Sequence, residues 1–400
     1  MKASSFIAGK LHFSGTIVMA SIAISFLIMI IAVSISSGFR HEVRNGISFV
    51  SGDVQLVPVD MNYYADAEPI PAKPSYYSKL DTITGLKAIY PVVYRAGMVK
   101  FGSQISGVLF KGLPEEPSLL ATAGLVPAGD SSSLEVSIPD KLAKALSLKE
   151  GDDMLTYFVG ERVKVRKFHI RTIYKGLLNV GDNQIVYAHL SDMQRLNGWD
   201  SNQVSALEFV LNSKYRNSLQ TKQVSDEIGS ISRMFIADDE PTLVATSALD
   251  KYPQIFDWLQ LIDSNVFFIL ILMTIVAGFN MVSGLLIMLF RNISTIGTLK
   301  TLGMTDKQIS NVFLRVASRL IFKGMLIGNA VALFLCGLQG LTHLIKLDPD
   351  NYSVSFIPIH LDPMLIFGAD AAAYVVIMVL LLIPSLFISR VDPADTVRVS

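Results

Sequence analysis

VFFILILMTIVAGFNMVSGLLIMLF, residues 266–290, carries no charge along its whole length and stops at Arg291. A hydrocarbon core of about 30 Å takes about 20 apolar residues in a helix, so this run spans a membrane. Three more runs do the same. One extends from Ile17 to Ile35, one from Leu320 to Leu341 with only Lys323 near its start, and one from Met364 to Ile388 with Asp370 near one end and Pro384 near the other. The first is longer than the apolar core of a cleaved signal peptide and no A-x-A site stands directly after it, so it reads as an uncleaved anchor. Asp370 is expected at the outer interface, hydrated. Ala277, Gly278 and Gly284 can admit close helix approach, within the subunit or at a dimer seam.

The composition agrees: 51% of the residues are hydrophobic and 17% charged, an apolar excess over ordinary soluble domains. Lys and Arg balance Asp and Glu at 34 each, which gives no electrostatic reason for a nucleic-acid partner. Cys336, the single cysteine, lies inside an apolar run and reads as a small buried hydrophobe.

Short loops set orientation, because Lys and Arg are retained on the cytoplasmic side. Arg291, Lys300, Lys307, Arg315 and Arg319 stand against Asp306 between the second and third runs, whereas Asp348, Asp350 and Asp362 stand against Lys346 between the third and fourth. The first loop is therefore inside, as are both termini, with Lys2 and Lys10 at one and Arg390 and Arg398 at the other. Arg40 and Arg44 oppose this only weakly, since they open a segment too long to count.

From Ser37 to Ser264 the long apolar runs stop. Strand-like stretches at Val54–Val57, Val92–Phe101, Gln104–Phe110, Val163–Ile173, Ile185–Ala188 and Ala206–Leu211 alternate with helical ones at Pro139–Leu146 and Tyr215–Met234, a pattern of α+β layering. Glu68–Pro74 reads as a surface loop and Ala248–Ile262 as a helical stalk. The expected organisation is a four-helix membrane protein with a large α+β domain inserted between helices 1 and 2: 1–36 N-terminus and first span, 37–264 domain and stalk, 265–290 second span, 291–306 cytoplasmic loop helix, 307–343 third span with its lead-in, 344–362 outer loop, 363–400 fourth span and C-terminus.

Several chemistries lack their residues. No G-x-x-x-x-G-K-[ST] loop is present, Gly9-Lys10 being followed by Leu11, so ATP is handled by another chain. His12, His41, His169, His189, His343 and His360 are scattered without H-E-x-x-H or paired C-x-x-C spacing, and no G-x-S-x-G elbow supports a hydrolase. No catalytic residue, bound cofactor or metal is expected.

Between the second and third spans, Ile293, Ile296, Leu299 and Leu302 follow helical spacing, Gly303 sits at a C-terminal cap, and Thr305 or Asp306 starts the next helix. The stretch Ile296-Gly297-Thr298-Leu299-Lys300-Thr301-Leu302-Gly303-Met304 resembles the loop E-I-G-x-L-[KR]-x-[LIM]-G-[AM] of the ABC permeases that include LolC, LolE, MacB and FtsX, although Thr295 stands where an acid is usual. Gly38-Phe39-Arg40-His41-Glu42-Val43-Arg44 and Val108-Leu109-Phe110-Lys111-Gly112 resemble Lol-type permeases, and Ser137-Ile138-Pro139-Asp140-Lys141-Leu142-Ala143, Leu148-Lys149-Glu150-Gly151-Asp152, Leu196-Asn197-Gly198-Trp199 and Leu347-Asp348-Pro349 are similar to the lipoprotein-releasing subunits of Bacteroidetes-type bacteria. The domain then resembles the MacB-like periplasmic core.

The resemblance implies an inner-membrane subunit that extracts lipoproteins for the outer membrane. Its partners would be a cytoplasmic ABC ATPase dimer that binds the ATP, a second permease copy or paralogue, the lipoprotein, membrane lipid and a periplasmic lipoprotein carrier. Arg291, Ile296, Gly297, Leu299, Lys300, Leu302, Gly303 and Met304 would couple to the ATPase. Ile31, Ile35, Phe39, Ile262, Val266, Phe267 and Leu270 would line an apolar cavity for the acyl chains. The alternative is an FtsX- or MacB-like mechanotransmission subunit that regulates a periplasmic partner or drives efflux.

Overall fold

The structure, a computed structural model, describes residues 16–59, 68–102, 104–127, 134–160, 163–175, 184–348, 354 and 356–385. The terminal cations Lys2, Lys10, Arg390 and Arg398, the Gly9-Lys10-Leu11 stretch and Asp350 lie outside the described residues.

In chain order the elements are α1 (Thr16–Ser51), β1 (Val54–Pro58), β2 (Ile70–Pro71), α2 (Tyr77–Leu80), β3 (Leu86–Phe101), β4 (Gln104–Leu113), α3 (Pro117–Ala123), β5 (Glu135–Pro139), α4 (Asp140–Leu146), β6 (Asp153–Phe158), β7 (Lys164–Tyr174), β8 (Gln184–His189) and α5 (Leu190–Asn197). They continue with β9 (Gln203–Val204), β10 (Ala206–Leu211), a 3₁₀ turn (Ser213–Tyr215), α6 (Ser218–Met234), β11 (Leu243–Ser247), α7 (Ala248–Lys251), α8 (Pro253–Arg291), α9 (Ile293–Thr301), α10 (Asp306–Thr342), α11 (Pro363–Leu380) and α12 (Leu382–Ser385). Two compact units divide the chain: one holds residues up to His41, Trp258–Leu347 and the residues from Ser355 on, the other Glu42–Asp257 and Asp348–Val354.

Among the described residues, four helices are long and apolar enough to cross a membrane: α1, α8, α10 and the stretch Pro363–Ser385. They meet in an apolar core that includes Ile22, Phe26, Met281, Phe313 and Ile377. Glycines set the closest approaches. A Cβ on Gly278 would meet Leu380, one on Gly284 would meet Val18, and one on Gly328 would lie 2.4 Å from the Ala23 carbonyl oxygen. The close approach foreseen at Gly278 and Gly284 is thus made inside this chain. Asp370 departs from the hydrated position expected of it: it is 8% exposed and accepts a 2.5 Å hydrogen bond from Asn329 Nδ2. Inside the bundle the Asn329 amide is a hydrogen-bond donor to this acid, as expected of a polar group among apolar helices.

The second unit is a mixed sheet in the order β11-β1-β10-β3-β4-β8-β5-β7-β6, with β3 also paired to β6 over Met98–Lys100. That extra pairing closes β3-β4-β8-β5-β7-β6 into a six-stranded barrel, filled by Phe110, Phe158 and Phe168 with ring centroids 5.0–6.1 Å apart. β3 serves both halves: Leu86–Val92 pairs with β10, and Val93–Phe101 with β4. Pro91 falls where β3 has a ladder partner on one side only, the place a residue without an N–H is tolerated. The interior is built from strands far apart in sequence, and β5, β6 and β11 show no long apolar alternation of their own. The Glu68–Pro74 loop contains β2, which pairs with β9 because Ile70 inserts into the core.

α1 ends where Gly52 takes φ +69°, the left-handed conformation that closes a helix at low cost for glycine. Its final turns belong to the α/β unit. Arg216 donates to Asp53 Oδ2 (3.1 Å), Asn45 Oδ1 (2.7 Å) and Ser48 Oγ (3.2 Å), and Arg44 donates to the Arg216 carbonyl. Burial raises the Asp53 carboxyl pKa, against the lowering effect of Arg216.

Candidate functional site

Two places in the helical unit carry the features that the sequence singles out. The first is an apolar groove of about 400 Å3, within the range of about 300–1,000 Å3 typical of ligand sites. α1 contributes Val33, Ser36 and Arg40, α8 contributes Asp263, Val266, Phe267 and Leu270, and α11 contributes Met364, Leu365, Gly368 and Ala369. The spacings of three and four residues follow from helical period, which puts one stripe of each helix on the groove. Its polar groups are concentrated in one cluster: Arg40 donates to Asp263 Oδ1 at 2.8 Å and Ser36 Oγ donates to the same oxygen at 2.7 Å. The pair is over a third exposed at each side chain, so its contribution to stability is small, about 0–1 kcal/mol. It presents one cation and one anion beside an apolar surface.

Of the residues expected to line such a cavity, Val266, Phe267 and Leu270 do so. Ile31, Ile35, Phe39 and Ile262 are not among its lining residues, and Phe39 instead meets Trp258 edge-on at 5.8 Å. The face of α1 on the groove is Val33–Ser36–Arg40, displaced around the helix from Ile31–Ile35–Phe39. Ser36, Arg40, Asp263 and the α11 residues escaped the reading of the sequence. A signal existed: Arg40 and Asp263 are the first charges beyond the outer ends of the first two apolar runs.

The second place is α9. Ile296 is buried in the helical core with Ile309, Val312 and Phe313, and Leu299 and Met304 pack on it partly buried. Lys300 reaches Asp306 Oδ1 at 2.9 Å. Gly303 has φ +85°, and α10 begins with a capping box in which Thr305 and Gln308 exchange hydrogen bonds, the arrangement that satisfies orphan N–H groups at a helix start. The residues left outward are Arg291, Ile293, Ser294, Thr295, Thr298, Thr301, Leu302 and Gly303, with Leu302 75% exposed. Of the expected coupling residues, Ile296 and Gly297 are buried, Leu299, Lys300 and Met304 partly so, and Arg291, Leu302 and Gly303 are exposed. The position of the missing acid, Thr295, points outward.

Comparison with known proteins covers both places. Residues 267–393 match the family described as FtsX-like permease C-terminal. The chain is 21% identical over 410 residues to the lipoprotein-releasing system transmembrane protein LolE of Haemophilus influenzae, covering 94% of this chain and 91% of that one. It is 22% identical over 415 residues to LolC of Neisseria meningitidis serogroup B, covering 98% and 95%. Among solved structures it is similar to the periplasmic region of MacB from Actinobacillus actinomycetemcomitans, at 10% identity and a TM-score of 0.33 over 51% of this chain and 92% of that one. It is also similar to the extracellular domain of the transporter YknZ from Gram-positive bacteria, at 12% identity and a TM-score of 0.30 over 48% and 99%. With its permease domain and its similarity along nearly the whole length of LolE and LolC, the chain fits the FtsX/MacB/LolC–LolE family of permeases.

Proposed function

We propose that this chain is the membrane subunit of an ABC transporter that extracts lipoproteins from the inner membrane for delivery to the outer membrane. The observation that carries the reading is the groove among α1, α8 and α11, apolar along its walls and edged by Ser36, Arg40 and Asp263. Such a surface suits a molecule with acyl chains and a polar head. Similarity to two relatives named as lipoprotein-releasing system proteins supports the same substrate. An acyl chain resists removal from a bilayer by about 0.8 kcal/mol per methylene, so extraction of several long chains needs an external source of free energy. That source is a separate ATPase, docked on the outward face of α9 around Leu302, while Ile296 and Leu299 tie α9 to the bundle. The α/β unit lies in the periplasm and receives the lipoprotein. Two permease subunits, copies or paralogues, complete the transporter.

Depletion of the protein in its host, followed by fractionation of the two membranes, tests this. Lipoproteins should accumulate in the inner membrane. Normal lipoprotein delivery with failed cell separation or wall turnover would overturn extraction in favour of a regulatory subunit; normal delivery with lost resistance to small toxic compounds would favour efflux.

A further inference from the structure

The α/β unit contains a buried ionic cluster that neither the groove nor α9 uses. Lys111, on β4, is 1% exposed, and its ammonium has three partners: the carbonyl oxygens of Phe49 and Val50 at 2.9 Å each and Glu208 Oε2 at 2.8 Å. Those three contacts use all its donors. Glu208, on β10, accepts at Oε1 from Tyr94 Oη and from Gln55 Nε2, the latter at 3.1 Å. Gln55, on β1, donates to Tyr94 Oη at 3.0 Å and accepts at Oε1 from Lys251 Nζ at 2.6 Å. Phe49 and Val50 are in the last turn of α1, and Lys251 ends α7, two residues before α8. The segments leading from the first and into the second apolar helix therefore meet four strands in one cluster.

A buried ion pair is a poor way to gain stability, because desolvation offsets most of the Coulomb attraction, and apolar replacements are often as stable. Its distinctive property is direction. Lys111 fixes the carbonyl end of α1, where the helix dipole favours a cation, to a strand that runs into the barrel. Ordinary apolar packing would hold the helix end without specifying which carbonyls face which strand.

We propose that Lys111 and Glu208, with Gln55, Tyr94 and Lys251, form a positioning joint that holds the last turn of α1 and the lead-in to α8 to one sheet, so that movement of the membrane helices displaces the barrel instead of fraying their ends. This rests on the transporter reading above. Lys111 and Glu208 are positioning residues: they touch no substrate and act through the helix end.

The test is a double variant, Lys111→Met with Glu208→Gln, which removes both charges at similar volume, studied in the full chain with its ATPase. Release of acylated lipoprotein should fall by about tenfold or more while ATP turnover of the assembled complex changes by less than about twofold. Release within about twofold of the parent in a normally assembled complex, or a parallel fall in ATP turnover, overturns the joint. Hydrogen exchange on the unaltered complex keeps the idea testable if the variant fails to fold. Amides of residues 49–57 and 247–251 should stay equally protected with and without a non-hydrolysable ATP analogue, and nucleotide-dependent loss of protection in either segment would contradict the joint. If release proceeds without this protein at all, the transporter reading fails; if release needs the protein but not the two charges, the joint alone fails.

Discussion

Lys111 and Glu208 separate two energetic effects that a single substitution confuses. Lys111→Met alone leaves Glu208 charged and buried, a loss of about 3–5 kcal/mol, whereas the paired Lys111→Met and Glu208→Gln exchange is expected to be near neutral. Thermal unfolding of both variants checks this, and equal destabilisation would contradict it. Lys251 in the same cluster gives a pH dependence. Its pKa is lowered from 10.5 to about 8, chiefly by burial, with Glu208 pulling it up and Lys111 pushing it down. A base with a depressed folded pKa binds fewer protons than the unfolded chain between about pH 8 and 10.5, so its contribution to stability rises with pH across that window. Lys251→Met should remove this rise: the difference in melting temperature between parent and variant should grow from pH 7 to pH 10 in the parent's favour. Parallel curves would show that Lys251 does not titrate there. In the helical unit Gly328→Ala puts a methyl group 2.4 Å from the Ala23 carbonyl oxygen, and backbone cannot yield cheaply. The expected cost is about 1–3 kcal/mol, read as reduced thermal stability of the solubilised chain, while Gly337→Ala, which meets nothing within 4 Å, should be silent.

At the scale of elements, α9 divides its residues between two tasks. Leu302→Asp changes an exposed side chain and should abolish association with the ATPase at normal chain abundance; Ile296→Asp buries a charge in the helical core and should lower abundance itself. Quantitative immunoblotting with co-purification distinguishes the two, and equal loss of abundance in both would contradict the division. Much of this element was legible beforehand: Gly303 closes α9 and Thr305 opens α10 because turn and capping chemistry is local. Long apolar helices were legible for a related reason, since each span is decided by its own composition. The face of a span was not. Val266, Phe267 and Leu270 lie on the groove, but the α1 face on it is Val33, Ser36 and Arg40, because helical phase depends on which neighbours close the site. Arg40 reads in the sequence as an orientation charge and as part of the Gly38–Arg44 stretch, with nothing to pair it with Asp263, 223 positions away. Barrel closure through the β3–β6 pairing is non-local in the same way, as is the pairing of Asp370 with Asn329 that replaces the expected hydration.

Across the whole molecule the chain alternates between two kinds of solvent. Apolar helices form one compact unit and a mixed α/β fold the other, and the chain's similarity to LolE and LolC extends through both. Under the proposed function, the helical unit grasps an acylated substrate and engages the ATPase, and the α/β unit receives the lipoprotein. That function requires acyl chains to occupy the groove among α1, α8 and α11. The most direct measurement replaces Leu270 with a photoreactive amino acid in the living host, irradiates, and looks for a covalent adduct with an acylated lipoprotein. Phe334 on α10, 69% exposed and absent from the groove lining, serves as the control. An adduct is expected at Leu270 and none above background at Phe334; equal labelling at both positions, or no adduct at Leu270 while lipoproteins are being delivered, would rule out acyl chains in the groove.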